Sequence, residues 1–336
     1  MNNPRVPARL LVREALPGIA EALGKLDGWL LRHGAHWLVT RHEGVITVGR
    51  VGADPAQVLE DRGTWPDPAT DGSASYCSPL PGGALAISGQ EAVTVHEPDG
   101  TVRWEHNHRM WTESPDASAA CTPDPTGCVL LATMAGPLGE DGLSRGDICR
   151  ALDLTTGEVL AEHVLPSFSA MYSFQHFPDA RPEALLTASM GQDGTQCLLV
   201  TYTAARLDVR AAGTAEEPYV GLGTDGALVS QDVGGGYLCR TQDGTDDVIV
   251  EAGEVLPEEW VFVGYTPGFV DEKRILVVAA EEPWAEKGTH LLLDAHTLRP
   301  LAELDYPHAS GISAVPLGDG TWLTHRGETV LRWALG

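Results

Sequence analysis

A unit of apolar runs separated by turns recurs about every 45 residues, and it constrains the fold more than any other feature of this chain. Residues 83–106 show the unit as GALAIS, a turn at GQE, AVTVHE, a turn at PDG and then TVRWEH. Residues 274–305 repeat it with RILVVAA, THLLLDA and PLAELD around turns of their own. Such a pattern predicts a radial all-β array, because each unit can bury its apolar face only against its neighbours.

Turn residues support the same interpretation. Eight Asp-Gly dipeptides are spread along the chain, and Asp-Gly supports the positive φ angles that a tight hairpin requires. Helical signal is confined to residues 19–26, where Gly18, Gly24 and Gly28 limit any helix to one or two turns. The sequence therefore predicts an all-β chain.

The pattern divides into seven units, and we predict a single domain over residues 1–336. The predicted units cover residues 28–63, 73–108, 117–165, 167–213, 219–253, 259–306 and 311–335. The last unit ends after its third strand, whereas residues 8–14 (ARLLVRE) form a spare strand before the first unit. We expect this N-terminal strand to complete the last unit, which would close the array and remove an exposed edge.

Several stretches resemble known families. Residues 151–157 (ALDLTTG) resemble the A-x-D-x-x-T-G-x-x-x-W signature of quinoprotein-like (PQQ-repeat) blades, with Ala161 in the place of the Trp. Residues 173–195, and the closing TVLRWAL, are similar to WD40 blades, although no Trp-Asp dipeptide is present. The resemblance implies a seven-bladed β-propeller of four-stranded blades. Because the quinone-binding residues of quinoprotein dehydrogenases are not recognisable, no cofactor is expected.

The charge of the chain limits its partners. Lys and Arg total 22 and Asp and Glu total 47, a net charge of −25. Such an acidic surface repels phosphate backbones and anionic membranes, so neither nucleic acid nor a membrane is an expected partner. The N-terminal LLVREALPGIAEAL is interrupted by charges and does not read as a signal peptide. We therefore expect a cytoplasmic protein, and we expect it to be a monomer. The few Lys residues and abundant Ala, Gly and Arg are typical of a high-GC bacterial genome, so we expect a bacterial source.

In propeller families, binding sites usually occupy one mouth of the central channel. The loops from an outermost strand to the next innermost strand line that mouth, together with the loops between second and third strands. The connection at residues 106–113 is the first candidate, because His106, His108, Arg109 and Trp111 fall within six residues. The imidazoles could hold a metal or act as acid and base, the guanidinium could clamp a carboxylate, and the indole could stack on a ligand. The alternative is an exposed connection with Trp111 packed on its neighbour.

Three further segments are candidates. Residues 168–176 predict an inner strand on which Tyr172 and His176 share one face, so both could contact a small molecule. Long loops at residues 136–146 and 281–288 are predicted between second and third strands, and the latter carries Trp284. Ordinary packing between blades and solvated loops are the respective alternatives.

Catalytic motifs are absent from the sequence. It contains no P-loop, no G-x-S-x-G, no H-E-x-x-H and no G-x-G-x-x-G after a strand. We therefore predict a non-catalytic module that binds a small molecule or a protein partner at the channel mouth. The alternative is a small-molecule hydrolase or lyase with a histidine and carboxylate site at that mouth.

Overall fold

The structure is a computed structural model that describes residues 3–23, 29–32, 34–68, 76–111, 117–142, 144–179, 181–213, 217–242, 246–308 and 311–336. Strands dominate these residues, and the α-helices are single turns, α1 (Ile19–Ala22) and α2 (Ala252–Val255). The chain separates into two compact units. The terminal unit comprises Met1–Trp29, Gly49–Asp61 and Gly213–Gly336, and the middle unit comprises Leu30–Val48 and Arg62–Ala212.

The strands follow one another in groups of four. After β1 (Arg5–Ala15), the first sheet has the order β2 (Trp29–Arg32), β3 (Ala35–His42), β4 (Val45–Val51) and β5 (Leu59–Pro66). The next three sheets, in chain order and in order of pairing, are β6 (Tyr76–Pro79), β7 (Leu85–Ser88), β8 (Ala92–His96) and β9 (Val102–Asn107); β10 (Cys121–Pro123), β11 (Val129–Met134), β12 (Ile148–Asp153) and β13 (Val159–Val164); and β14 (Met171–His176), β15 (Ala184–Ser189), β16 (Thr195–Thr203) and β17 (Arg206–Ala211).

The terminal unit continues the series. Its first sheet contains β18 (Tyr219–Leu222), β19 (Leu228–Gln231), β20 (Tyr237–Thr241) and β21 (Val248–Glu251). The remaining strands are β22 (Val261–Asp271), β23 (Arg274–Ala280), β24 (Thr289–Asp294) and β25 (Pro300–Asp305), then β26 (Val315–Pro316), β27 (Thr321–Arg326) and β28 (Thr329–Leu335). With β1 they form one eight-stranded sheet of order β22-β23-β24-β25-β1-β28-β27-β26.

The predicted role of the N-terminal strand is confirmed. β1 pairs antiparallel with β28, from Ala8 opposite Leu335 to Ala15 opposite Thr329. Its first residues also pair in parallel with β25, with Arg5 opposite Glu303. β1 is thus the fourth strand of the last group, and the described residues contain the seven four-stranded groups that the repeat predicts.

Burial changes systematically across each group. The second strands β11 and β23 are almost wholly buried, whereas the fourth strands β13 and β17 are largely exposed. A strand covered on both faces has a nearly continuous apolar sequence, as in VLLATM and RILVVAA, and a strand covered on one face alternates. The apolar pattern of a strand therefore indicates whether one or both of its faces are buried.

Tryptophans on fourth strands link neighbouring sheets in the middle unit. Trp65 on β5 donates from Nε1 to the carbonyl oxygen of Glu97 (3.0 Å), and Trp104 on β9 donates to that of Leu154 (3.0 Å). Gly157, with φ of +73°, lies under the second indole, and a Cβ there would come within 2.8 Å of the Trp104 ring. The Thr-Gly of the quinoprotein-like signature therefore serves close packing as well as the turn.

A buried arginine secures the loop after β4 in the terminal unit. Arg332 on β28 is 0% exposed. Its Nη1 donates to the carbonyl oxygens of Gly52 (2.6 Å) and Gln57 (3.0 Å), while Nη2 pairs with Asp319 (2.6 Å). Because a buried guanidinium must be paired, these bonds bind the loop to the last sheet.

Candidate functional site

The terminal unit contains a cavity of about 240 Å³. Its walls come from β18, the first half of β22, the β19–β20 hairpin and the β23–β24 loop, and they also include Ile312 in the connection before β26. Apolar side chains predominate, with Pro218, Val220 and Phe262 among them. A mainly apolar concavity with a few polar groups is the usual form of a small-molecule site.

Close backbone packing brings the β19–β20 hairpin onto the wall. The amide of Phe262 donates to the carbonyl oxygen of Gly235 (2.9 Å), and a Cβ on Gly235 would lie 2.0 Å from the carbonyl oxygen of Phe262. Asp232 stabilises the turn because its Oδ2 accepts the amide of Gly236 (2.8 Å). The run Gly234–Gly236, which by sequence is only a hairpin turn, therefore permits an approach that no side chain would allow.

One polar side chain in the wall of the cavity lacks a complete set of hydrogen-bond partners. Gln231 donates from Nε2 to the carbonyl oxygen of Gly264 (2.9 Å). Its Oε1 is buried and has no hydrogen-bond partner among the described residues. Gly264 has φ of +82°, and a Cβ there would be 2.9 Å from the carbonyl oxygen of Ile312. This backbone position requires glycine, and it fixes where the Gln231 amide lies.

A buried polar chain holds the Ile312 wall. His290 is 1% exposed, and its Nε2 lies 2.9 Å from the carbonyl oxygen of Gly311. A carbonyl only accepts, so Nε2 carries the proton and Nδ1 accepts from the Tyr306 hydroxyl (2.7 Å). That hydroxyl in turn accepts from Trp322 Nε1 (2.8 Å). Burial lowers the pKa of His290 from 6.5 to about 4, and the bond to the Gly311 carbonyl oxygen partly offsets this shift. The imidazole is therefore neutral, and in this form it satisfies both of its neighbours.

The rim of the cavity is apolar and exposed. Trp284, in the β23–β24 loop, is 79% exposed, and Val233, at the tip of the β19–β20 hairpin, is 75% exposed. Both line the cavity. Trp284 is the one predicted site residue in this pocket, and it lies in a second-to-third-strand loop of the type that the propeller resemblance implies.

The electrostatic surroundings are acidic. Asp232 lines the cavity, and no Lys, Arg or His among the described residues does so. The β23–β24 loop adds the exposed Glu281, Glu282 and Glu286, opposed by one cation, Lys287. The loop and Asp232 together therefore carry more negative than positive charge.

The predicted 106–113 connection is occupied by internal contacts, although residues 112 and 113 lie outside the described residues. His106, on β9, accepts from Nη1 of Arg150 (3.0 Å). His108 donates from Nδ1 to the carbonyl oxygen of Arg109 (2.9 Å), whose guanidinium bonds the carbonyl oxygen of Gly136 (2.9 Å). The pKa values of both histidines are lowered, first by burial and then, for His106, by the charge of Arg150.

Trp111 and Tyr172 converge on a buried carboxylate that the sequence reasoning missed. Trp111 Nε1 donates to Oδ1 of Asp147 (3.0 Å), and the Tyr172 hydroxyl donates to Oδ2 (2.8 Å) and lies 2.9 Å from Ser167 Oγ. Asp147 is 0% exposed. Burial raises the pKa of this carboxyl, and the bonds from Tyr172 and Trp111 partly offset the rise. No local sequence signal marks Asp147, because its partners are far away in the chain.

His176 has a separate environment. It is 1% exposed, and its Nε2 lies 2.9 Å from the carbonyl oxygen of Pro123 and 3.0 Å from Thr122 Oγ1. The structure thus brings Trp111 and Tyr172 together at Asp147, whereas His106 bonds Arg150, His108 bonds the Arg109 carbonyl oxygen, and His176 and Trp284 have other neighbours. Within the described ranges, no group of three or more His, Cys, Asp or Glu side chains is arranged to hold a metal ion. None of the described helices has the length and apolar character needed to span a membrane.

The fold is that of a seven-bladed β-propeller, and solved propellers are similar to it. A streptogramin B lyase matches with a TM-score of 0.51 at 14% identity, covering 92% of this chain and 94% of that one. Virginiamycin B lyase from Staphylococcus aureus matches with a TM-score of 0.52 at 11% identity, covering 96% and 98%. The WD40 domain of Neurospora crassa Pan2 has a TM-score of 0.49 at 14% identity, covering 97% and 94%.

Sequence comparison adds no closer relationship. No family model matches the chain, and no curated protein matches it. At identities of 14% and below, the structural likeness shows the fold alone. The propeller resemblance predicted from the blade motifs is therefore confirmed for architecture.

Proposed function

We propose that this protein is a non-catalytic binding propeller of a bacterial cytoplasm that holds a small molecule in the cavity of its terminal unit. The observation that carries the proposal is the combination of an apolar cavity of about 240 Å³ with an exposed indole, Trp284, at its rim. Contact with a ligand would remove this exposed aromatic surface from water, which is energetically favourable. The protein-partner alternative would use the same rim.

Binding is preferred over catalysis because of where the titratable groups lie. A lyase or hydrolase needs an acid and a base within reach of its substrate. The cavity has Asp232 in its wall and no histidine among the described lining residues. His106, His108 and His176 each bond to internal partners elsewhere. The lyases that are similar in fold lend no catalytic residues to this chain at such low identity.

A thermal-shift screen of small metabolites tests the proposal. A true ligand at ten times its dissociation constant stabilises the folded state by about 1.4 kcal/mol, which raises the unfolding midpoint of a chain of this size by roughly 2 °C. The screen is run on the wild type, on Trp284→Ala and on Phe168→Ala. Phe168 is an exposed aromatic (51%) that does not line the cavity, so it controls for loss of a surface ring.

Hits should lose most of their shift in Trp284→Ala and keep it in Phe168→Ala. If every hit raises the unfolding midpoint of Trp284→Ala as much as that of the wild type, the cavity is not the binding site. Turnover of a hit, detected as a new product by mass spectrometry, would favour the enzyme alternative instead.

A further inference from the structure

The orientation of the Gln231 side chain determines what the cavity presents to a ligand. The atom 2.9 Å from the carbonyl oxygen of Gly264 must be the amide nitrogen, since a carbonyl cannot donate. Oε1 therefore points away from Gly264, and it is buried without a partner among the described residues. Gln231 lines the cavity, and its Oε1 is closed to solvent in the wall, so a ligand donor satisfies this oxygen after a small shift of the surrounding side chains.

An unpaired buried acceptor favours a hydrogen-bond donor over an acceptor. Leaving such an oxygen unpaired costs about 1–3 kcal/mol, and a ligand N–H would recover part of that cost. A ligand acceptor, such as a carboxylate, would meet a second oxygen and add repulsion. The polar end of the pocket therefore selects for a donor.

The charges around the cavity further restrict the chemical class of the ligand's donor group. Asp232, beside Gln231 in the chain, is half-buried in the same wall, and the described lining has no cation to neutralise it. Glu281 and Glu282 precede Trp284 on the rim loop, whereas Lys287 is that loop's one opposing charge. A positively charged donor is attracted by this arrangement, and the net charge of −25 acts in the same direction.

The rest of the cavity requires an apolar body. Phe262, Pro267 and Ile312 contribute no charge, and the indole of Trp284 can cover either an aliphatic or an aromatic group. Indole is also the side chain best suited to a cation–π contact. On the basis of the proposed binding function, we propose that the ligand is a protonated amine with a small apolar body. Its ammonium group would lie between Gln231 Oε1 and Asp232.

Three probes that share a phenylethyl-type body test the charge preference. They are 2-phenylethylammonium, 2-phenylethanol and 3-phenylpropanoate, and their dissociation constants are measured at pH 7.5 by ligand-observed NMR titration. The ammonium should bind about tenfold or more tightly than the carboxylate, with the alcohol between them. Trp284→Ala should weaken both the ammonium and the alcohol, because the indole covers the shared body.

Asp232→Asn isolates the charge. An asparagine keeps an oxygen that can accept the Gly236 amide, so the hairpin is preserved while the charge is lost. The dissociation constant of the ammonium should rise about fivefold, and that of the alcohol should change less than about twofold. Asp193→Asn is the matched control, because it removes one exposed charge from a residue that does not line the cavity.

The outcomes separate this inference from the proposed function. If all three probes bind with similar constants and all lose affinity in Trp284→Ala, the cavity binds ligands but the preference for an amine is wrong. If none binds, the binding function fails as well. If Asp232→Asn does not fold, the salt dependence of binding to the wild type is measured instead. Added NaCl should raise the dissociation constant of the ammonium and leave that of the alcohol unchanged. Equal changes in the two constants would overturn the preference for an amine.

Discussion

Protonation of His290 should destabilise the protein as the pH falls, because the folded state holds this imidazole neutral. Its Nε2–H donates to Gly311 and its Nδ1 accepts from Tyr306. A second proton on Nδ1 would break the bond from Tyr306 and place a charge in a site that is 1% exposed. The perturbation is therefore a pH decrease from 7.5 to 5.0, compared between the wild type and the non-titrating His290→Gln.

The sign and size of the change in the free energy of unfolding follow from the difference between the folded-state and unfolded-state pKa of His290. The folded-state pKa is about 4 against 6.5 for an unperturbed histidine, so the unfolded chain binds the proton more tightly. The stability contribution is fully present above pH 6.5 and is lost as the pH falls toward the folded-state value. By pH 5.0 the wild type should lose about 2 kcal/mol from this residue.

Urea unfolding followed by tryptophan fluorescence at several pH values measures the effect. His290→Gln should be less stable than the wild type at pH 7.5, but its further loss down to pH 5.0 should be smaller by about 2 kcal/mol. His296→Gln removes an exposed histidine and should follow the wild-type profile. Parallel pH profiles for the wild type and His290→Gln would refute the reasoning, as would a wild type that gains stability relative to that variant.

Three other predictions concern packing and burial. Arg332→Met should lower the free energy of unfolding by about 2–4 kcal/mol, because it leaves the carbonyl oxygens of Gly52 and Gln57 without their donor. Arg145→Met removes an exposed ion pair and should cost under about 1 kcal/mol; equal losses in urea titrations would contradict the burial argument. Gly235→Ala should cost about 3 kcal/mol and abolish binding to the cavity, because its Cβ would strike the Phe262 carbonyl, while Gly253→Ala, with nothing within 4 Å, should be neutral or stabilising by differential scanning calorimetry. Burial raises the pKa of Asp147 in the folded state, so the wild type loses stability as the pH rises and this buried carboxyl must ionise. Asp147→Asn does not ionise, so its stability relative to the wild type should increase as the pH rises through the folded-state pKa of Asp147. A difference in stability that does not change with pH would show that the charge is not destabilising.

The strand pattern could be read from the sequence because its causes are local. Alternation of apolar and polar residues and Asp-Gly turns depend on neighbours a few positions apart, and they predicted seven four-stranded groups. Even the N-terminal strand was predictable, since residues 8–14 were a strand without a sheet and the last unit was a sheet without a fourth strand. Its actual bounds, Arg5–Ala15, are wider because β25 also pairs with its first residues.

Candidate residues were harder to judge than strands. Trp111 and Tyr172 attracted attention as aromatic groups, but their polar atoms turn to Asp147, 36 and 25 residues away from them along the chain. A long loop between second and third strands is a recognisable feature of the repeat, so the sequence makes Trp284 a candidate, and the structure places it among the residues that line the cavity. Gln231 and Asp232 carried no motif, and the adjacent Gly234–Gly236 gave only a turn signal.

The sequence by itself determined the repeat, the number of strands and the acidic character of the chain. The tertiary structure alone decided that a cavity exists, since its walls come from residues between 218 and 312 that meet only when separate strands and loops pack. It also decided that Gln231 Oε1 has no partner among the described residues, whereas His290 and Tyr306 are each hydrogen-bonded. Hydrogen-bond satisfaction depends on where each backbone carbonyl lies after packing, and no local pattern of residues encodes that position.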